Sequence, residues 1–440
     1  MTGPAPRTIA EHRSAVLART APLGAVEVPV EHCAQTPGLV LARDVAAAAA
    51  VPAFDNSAMD GYAVRLADLP ADGSEVTLPV VADVRPGPPP DVADPASDVV
   101  GMKSTGVDGS GTVNSIPTTP AGAVRIMTGA ALPAGFDAVV PVERTSTGRF
   151  VAGGPTAERT VTLARQPRDH VRRAATDLRP GDLLARAGTT AGPGLVAAAA
   201  AAGLTTLAVH RRPRVAVIST GSELADLGTA APGTIPDSNS LMLAALARDL
   251  GADVVRVGAV PDHPDALRAA LDDVTDTARP ADLVVTSGGV SAGASDVVRE
   301  VLASGAADDV ELAAVAMRPG RPQAVATWRG VPWIAVPGNP VSAFVSFTLF
   351  VRPALRRLAG HEGTTPVRTG RAATGWTSPP GVEQVLPVTT GPDGVTPAAR
   401  DGHHLAALPR ADALVIVPAA VEKVVAGDPV AIVALDGESR

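Results

Sequence analysis

Three carboxylates, Glu223, Asp262 and Asp296, each follow a short apolar run and sit among glycines, serines or prolines. Such groups suit a hard cation, because Mg2+ takes one or two carboxylates, keeps several waters and bridges to phosphate oxygens. The most telling stretch is residues 282–296, where an apolar run stops at Ser287-Gly-Gly-Val-Ser291 and Asp296 opens a helix. Glycines let backbone N–H groups approach an anion, and a helix N-terminus adds positive potential. The loop therefore reads as a phosphate cradle, with Ser287, Gly288, Gly289 and Ser291 as contacts and Asp296 as a metal ligand. Thr220 and Gly221, in Thr220-Gly-Ser-Glu223, have the same character. Taken singly, the glycine loop is weak evidence, since such loops are often just strand-to-helix turns, and each carboxylate reads first as a helix cap or a solvent-facing group. Their recurrence favours one shared site.

Arg318-Pro-Gly-Arg321-Pro puts two guanidinium groups on a stiff turn around Gly320, suited equally to a claw for an oxyanion and to a solvated surface loop. In Pro337-Gly-Asn-Pro340 an N-cap residue precedes an N1 proline, so Pro337, Gly338 and Asn339 either aim a helix N-terminus at an anion or simply cap that helix. Ser57, Asp60 and Thr128 lie in Asp55-Asn-Ser-Ala-Met-Asp-Gly-Tyr62 and Arg125-Ile-Met-Thr-Gly129, where short polar residues beside glycines suit ligand contacts and turns alike. The pair His403-His404 has no carboxylate or cysteine at ligand spacing and reads as surface, and no Ser-His-Asp arrangement has a local motif.

The elements that must position these residues are clearest after Pro213. Apolar runs at 215–219, 254–260, 283–286 and 334–336 alternate with helical patterns, which is the pattern of βαβ units and a parallel sheet. A helix starting at Asn239 carries Leu243, Leu246, Ala247 and Leu250 on one face and ends at Gly251. The next opens at Pro264 with Leu267, Ala270, Leu271 and Val274 on one face, and a third begins at Asn339-Pro340. The candidate loops follow these strands, and open α/β sheets bind ligands beyond the carboxyl ends of their strands. Upstream, the pattern predicts a helix over 8–18, strands over 25–30, 39–47, 123–127 and 138–142, an irregular segment over 52–65, and an alanine-rich helix near 193–202. Residues 86–120 shift to Pro, Gly, Ser, Thr and Asp and read as an insertion. Apolar segments at 384–390, 413–418 and 429–435 predict a small β domain at the end.

With 440 residues, 46% hydrophobic and 19% charged, the chain is long enough for several globular domains. A net charge of -8 without a long basic cluster argues against a nucleic-acid partner and for a small ligand. The single cysteine, Cys33, rules out an intrachain disulfide and a thiolate zinc cluster, and it reads as a small buried hydrophobe. Residues 1–13 lack an apolar signal core, so a cytoplasmic location is expected. The longest apolar stretch, 195–209, is too short for a membrane span.

Beyond these features, the chain resembles the molybdopterin molybdenumtransferase family, MoeA and the gephyrin E domain. The matching motifs are Pro52-Ala-Phe-Asp-Asn-Ser-Ala-Met-Asp-Gly-Tyr-Ala-Val-Arg65, Arg125-Ile-Met-Thr-Gly-Ala130, Ser219-Thr-Gly-Ser-Glu-Leu224, Ser287-Gly-Gly-Val-Ser291, Met317-Arg-Pro-Gly-Arg-Pro322 and Pro337-Gly-Asn-Pro-Val-Ser342, in the family's order over nearly the whole chain. The resemblance implies a multidomain α/β protein. Its parts would be a discontinuous helical domain (1–47 with 165–212), an inserted mixed domain (48–164), a three-layer molybdopterin-binding α/β domain (213–360) and a β-rich domain (361–440). It also implies a homodimer whose active site joins the third domain of one subunit to the second domain of the other. The implied reaction is Mg2+- and molybdate-dependent cleavage of adenylylated molybdopterin, with AMP released as molybdenum enters the dithiolene. Asp60, Thr128, Glu223, Asp262 and Asp296 fall on the family's functional positions. Implied macromolecular partners are a molybdopterin adenylyltransferase and apo-molybdoenzymes. A desolvated tetrahedral oxyanion needs cationic or N–H donors, which Arg318, Arg321 and the glycine loops would supply.

The chain departs from the family at several positions. Ser222 stands where an aspartate is usual and Ala314 where a lysine is common. Lysine occurs only at 103 and 423, which accounts for Arg318 and Arg321 but not for the lost charge at 314. Asp401-Gly-His-His404, Arg410-Ala-Asp-Ala413 and the 86–120 insertion are also atypical. These departures raise the alternative of a non-catalytic pterin-binding paralogue. A molybdopterin adenylyltransferase ranks lower, since that enzyme usually carries Gly-Gly-Thr-Gly where this chain has Gly288-Gly-Val-Ser291.

Overall fold

The apolar runs after Pro213 become strands because both of their faces are buried, which is what a parallel sheet covered by helices requires. The computed structural model describes residues 6–87, 121–151, 157–229, 231–290, 296–364, 366–399 and 404–435. By packing, the chain divides into two units, 1–44 with 186–193 and 206–440, and 45–185 with 194–205.

In the first unit a six-stranded sheet runs in the order Asp253–Val260, Arg214–Thr220, Leu283–Ser287, Val331–Val336, Pro322–Trp328 and Asp308–Ala314. The first four strands are parallel, Pro322–Trp328 runs antiparallel to them, and Asp308–Ala314 pairs antiparallel with Pro322–Trp328. Side chains alternate cleanly. Val215, Val217, Val285, Ile334 and Val336 meet Leu243 of the Ser238–Asp249 helix and Phe344 of the Pro340–Ser346 helix. Ala216, Ile218, Val284, Trp333 and Ala335 turn the other way, against Leu267 and Leu271 of Pro264–Thr275 and Val298 and Val301 of Val297–Ala303. Each fully buried Val or Ile in these layers contributes about 1.5–3 kcal/mol. From Arg214–Thr220 the chain goes first to the strand on one side and then returns to Leu283–Ser287 on the other. That reversal opens a crevice beyond Thr220 and Ser287, the place where doubly wound sheets bind ligands.

The Arg318–Pro322 turn differs from expectation: it precedes a strand instead of following one of the parallel set. Because Pro322–Trp328 runs antiparallel to Val331–Val336, with Ala324 opposite Ala335, its start still lies at the same sheet edge. The C-terminal part is a β-sheet as predicted, built from Glu383–Gly391, Ala413–Val417, Pro429–Ala434 and Arg368–Arg371, with Met317–Arg318 added at one edge.

In the second unit five strands run in the order Ala138–Pro141, Gly61–Val64, Ala123–Ile126, Val76–Val84 and Thr160–Leu163. The 52–65 segment is therefore not irregular throughout. Gly61–Val64 is fully buried between two strands, and a Cβ on Gly61 would lie 2.1 Å from the Val140 carbonyl oxygen. With both faces buried, its sequence shows no alternation to read. Conversely, the strand expected over 39–47 is broken into isolated bridges at Val40 and Leu41 and the short Val45–Ala46 strand. The intervening Asp44 instead accepts from the Ala187 N–H at 2.8 Å. Of the expected insertion, all but residues 86 and 87 lies outside the described residues. Cys33 is buried in the Val30–Gln35 helix, and burial raises its thiol above the usual value. Among the described residues no helix is long and apolar enough to cross a membrane.

The Ile9–Leu17 helix begins with a capping box in which Thr8 and Glu11 exchange hydrogen bonds. It carries His12 into the core, edge-on to Phe350 with ring centroids 4.7 Å apart. His12 is fully buried and neither ring nitrogen has a hydrogen-bond partner among the described residues. Burial first, and then the neighbouring Arg7, lower its pKa to about 4, despite the opposing pull of Glu311. The unfolded chain binds this proton near pH 6.5 and the folded chain only near 4, so stability is full above about pH 6.5 and is lost on acidification toward 4. The size of the effect is about 3 kcal/mol. Urea unfolding of His12→Leu between pH 7 and 4 should show that much less acid destabilisation than the wild type. Parallel pH profiles would contradict the assignment.

Candidate functional site

The loops at the carboxyl edge of the parallel strands touch backbone to backbone. Gly288 has φ +99°, and a Cβ there would lie 2.4 Å from the Thr220 carbonyl oxygen. Gly289 has φ +62°, and its Cβ would meet Thr220 Oγ1 at 3.0 Å and the Val298 N at 3.1 Å. A Cβ on Gly338 would lie 3.3 Å from Gly288 Cα. L-residues with side chains rarely adopt the conformations of Gly288 and Gly289, and at Gly288 there is also no room for a Cβ. Gly288 N–H donates to the Val336 carbonyl at 3.1 Å, and the Ser287 hydroxyl donates to the Pro337 carbonyl at 3.3 Å. The loops after Leu283–Ser287 and Val331–Val336 are thereby laced together.

These loops frame a cavity of about 500 Å³. Its lining includes Thr220, Gly221, Glu223, Asp262, Ser287, Gly288, Gly289, Asp296, Gly320, Pro337, Gly338 and Asn339. The carboxylates expected at the strand ends thus face one space. Among the described residues, however, no group of three or more His, Cys, Asp or Glu side chains is close enough to form a metal cage. This donor set matches a cation held by one or two carboxylates and the oxygens of a ligand. Asp296 N-caps Val297–Ala303 but makes no side-chain capping bond, whereas Asn339 Oδ1 accepts from the Ser342 N–H at 3.1 Å, which fixes that residue as a helix cap at the cavity wall.

Glu223 folds back over Gly221, where a Cβ would meet its Oε2 at 2.7 Å. Asp262 and Ser222 form a reciprocal pair: Ser222 N–H donates to Asp262 Oδ2 at 3.0 Å, and Asp262 N–H donates to Ser222 Oγ at 3.1 Å. A hydroxyl at 222 therefore serves as the acceptor that joins the first two loops, without adding a negative charge.

Arg318 and Arg321 are exposed, do not line the cavity, and make no ion pair or hydrogen bond from their side chains to the described residues. Their turn is nevertheless fixed. Buried Gln323 donates to the Gly320 carbonyl at 2.7 Å and to Ser346 Oγ at 2.6 Å, and Gly320 itself reaches the cavity. Ser291, and with it the end of the glycine loop, lies outside the described residues, as do Asp401 and His403.

The remaining expected residues belong to the second unit. Asp60 and Thr128 are exposed and paired, with Asp60 Oδ1 accepting from the Thr128 N–H at 2.7 Å and its hydroxyl at 2.9 Å. Ser57 is fully buried and donates to the Met59 carbonyl at 2.5 Å, so its hydroxyl closes the turn that carries Asp60. Asp55 is held below the usual carboxylate range by the Ala174 N–H and by Arg173.

Sequence reasoning missed one wall of the cavity, Ile235, Asp237, Ser238 and Asn239. The available signal was an Asp-Ser-Asn-Ser run just before a periodic helix. Asp237 is in fact the N-cap, and the helix starts one residue earlier than predicted, at Ser238.

Comparison with known proteins agrees along the chain. Residues 7–203 match the MoeA N-terminal region (domain I and II), 216–357 the probable molybdopterin binding domain, and 369–435 the MoeA C-terminal region (domain IV). Molybdopterin molybdenumtransferase 2 of Mycobacterium tuberculosis is 39% identical over 96% of this chain and 98% of its own length. Molybdopterin molybdenumtransferase 1 of the same organism is 35% identical over 90% and 92%. The crystal structure of the molybdopterin biosynthesis MoeA protein from Pyrococcus horikoshii superposes with a TM-score of 0.78 at 27% identity, covering 98% of this chain and all of that one.

Because no Cβ fits at Gly288, Gly288→Ala should lower unfolding stability by about 1–3 kcal/mol and abolish binding of phosphate-bearing ligands at this edge. Gly194→Ala is the control, since a Cβ there meets nothing within 4 Å. Urea titration and ligand titration of both variants check this, and a Gly288→Ala protein that binds like the wild type would refute it.

Proposed function

The chain belongs to the molybdopterin molybdenumtransferase family, enzymes of molybdenum cofactor biosynthesis, and from that premise we propose that it inserts molybdenum from molybdate into adenylylated molybdopterin with release of AMP. The observation that carries this reading is the strand-edge cavity, which combines glycine loops for phosphate with Glu223, Asp262 and Asp296.

In this reading Thr220, Gly288, Gly289 and Gly338 receive the phosphate portion of the substrate, because only unhindered backbone can approach a phosphoanhydride so closely. Thr220 Oγ1 and Ser219 Oγ are buried without partners among the described residues. A buried hydroxyl without a partner costs about 1–3 kcal/mol, and a bound ligand oxygen offsets that cost at Thr220, which lines the cavity. Glu223, Asp262 and Asp296 would hold Mg2+, which when bound supplies positive charge beside the phosphates. Asp262 is oriented for this by Ser222. Arg318 and Arg321, exposed on the fixed turn around Gly320, offer guanidinium donors to the incoming molybdate.

Asp60, held by Thr128, completes the site from a second copy of the chain in a cytoplasmic homodimer. This part rests on the family's pattern, as do the four-domain boundaries and the adenylyltransferase and apo-molybdoenzyme partners. The Ser222 and Ala314 departures make a non-catalytic pterin carrier the competing reading, and turnover separates the two.

With adenylylated molybdopterin and Mg2+, purified protein should release AMP only when molybdate is added, and Asp296→Ala should slow release by about 100-fold or more. Pterin binding without AMP release would leave the carrier reading standing and overturn this one.

A further inference from the structure

Asn239 has no role in the reading above, yet it sits where the cavity's loops meet. It occupies the first turn of the Ser238–Asp249 helix, behind an Asp237 cap that accepts from the Ser240 N–H at 3.1 Å. The residue is only 9% exposed. Asn239 Nδ2 donates to Ser287 Oγ at 2.8 Å and to the Gly338 carbonyl at 2.7 Å. The orientation of the amide is dictated by chemistry: Gly338 O can only accept, so the NH2 must face it. That leaves Oδ1 buried without a partner among the described residues.

One carboxamide therefore spans the two glycine loops. Ser287 precedes Gly288, whose backbone is in contact with Gly338, and the Ser287 hydroxyl is handed on to Pro337 O. Retaining an unpaired buried carbonyl oxygen costs about 1–3 kcal/mol, which stability alone does not explain. An apolar residue of the same volume would remove that cost but would take the donor away from the Gly338 carbonyl, so what the carboxamide adds is the tie between the two loops.

We propose that Asn239 is a positioning residue of the phosphate cradle. By fixing the Ser287 hydroxyl and the Gly338 carbonyl, it sets the spacing of the Gly288 and Gly338 loops so that the Gly289 and Gly338 N–H groups, rather than the Gly288 N–H already bonded to Val336, converge on the terminal phosphate of the pterin substrate. The inference rests on the molybdopterin reading of this cavity and deepens it: the residue governs binding of the phosphate, not of the pterin ring.

The test is a fluorescence titration, using the ligand's own pterin emission, with an oxidised molybdopterin derivative carrying its terminal phosphate and with the same pterin after phosphatase treatment. Asn239→Leu, which keeps volume and charge, should weaken the phosphorylated pterin at least 10-fold and the dephosphorylated one less than 2-fold. Ser287→Ala, which leaves the bond from Asn239 to Gly338 intact, should give a smaller loss of the same selectivity, and it carries the test if the Leu variant does not fold. Wild-type affinity in both variants, or equal losses for both ligands, would overturn the role of Asn239. No pterin binding by the wild type would instead overturn the reading of the cavity itself.

Discussion

Close approach of backbone to backbone at one sheet edge is the constraint from which the rest of the site follows. Gly288 lies against the Thr220 carbonyl and Gly338 against Gly288, so three loops from three neighbouring strands share a space that leaves no room for a Cβ at Gly288 and little at Gly338. In the proposed reading, such packing leaves N–H groups and hydroxyls as the cavity surface that meets an anion. It also requires the strands beneath to be rigid and in register. The two-faced burial of Val215 to Ile218, Val284, Val285 and Ile334 to Val336 supplies that rigidity.

Charge is distributed around this edge in a way that suits a metal-bridged phosphate. Glu223, Asp262 and Asp296 come from separate loops and do not collapse into a cage among the described residues. A preformed three-carboxylate cage would bind a cation with no ligand present, whereas dispersed carboxylates need phosphate oxygens to complete the shell. Ser222 shows how a departure from the family can be absorbed. Its hydroxyl accepts the Asp262 N–H, so the bond between the first two loops survives while the local negative charge falls.

Much of this was legible in the sequence. The alternation of apolar runs and helical periods located all four parallel strands, and the glycine, proline and carboxylate residues in their loops located most of the cavity wall. What escaped has physical causes. Gly61–Val64 is buried on both faces and has no alternation to betray a strand. The strand foreseen over 39–47 is interrupted because Asp44 bonds to the backbone at Ala187, a contact 143 positions away that no local pattern reveals. Asn239 read as a helix start, since its two bonds go to Ser287 and Gly338, residues distant along the chain. Arg318 and Arg321 were foreseen as cavity contacts, but the chain direction of Pro322–Trp328 brings only Gly320 and Pro322 to the wall.

The central claim is that the glycine edge is where phosphate binds, and a crystal structure with a phosphorylated pterin tests it most directly. The account predicts the phosphate within hydrogen-bonding distance of the Gly289 and Gly338 N–H groups, with Thr220 Oγ1 newly partnered. A phosphate bound away from these loops, with Thr220 Oγ1 still without a partner, would contradict it.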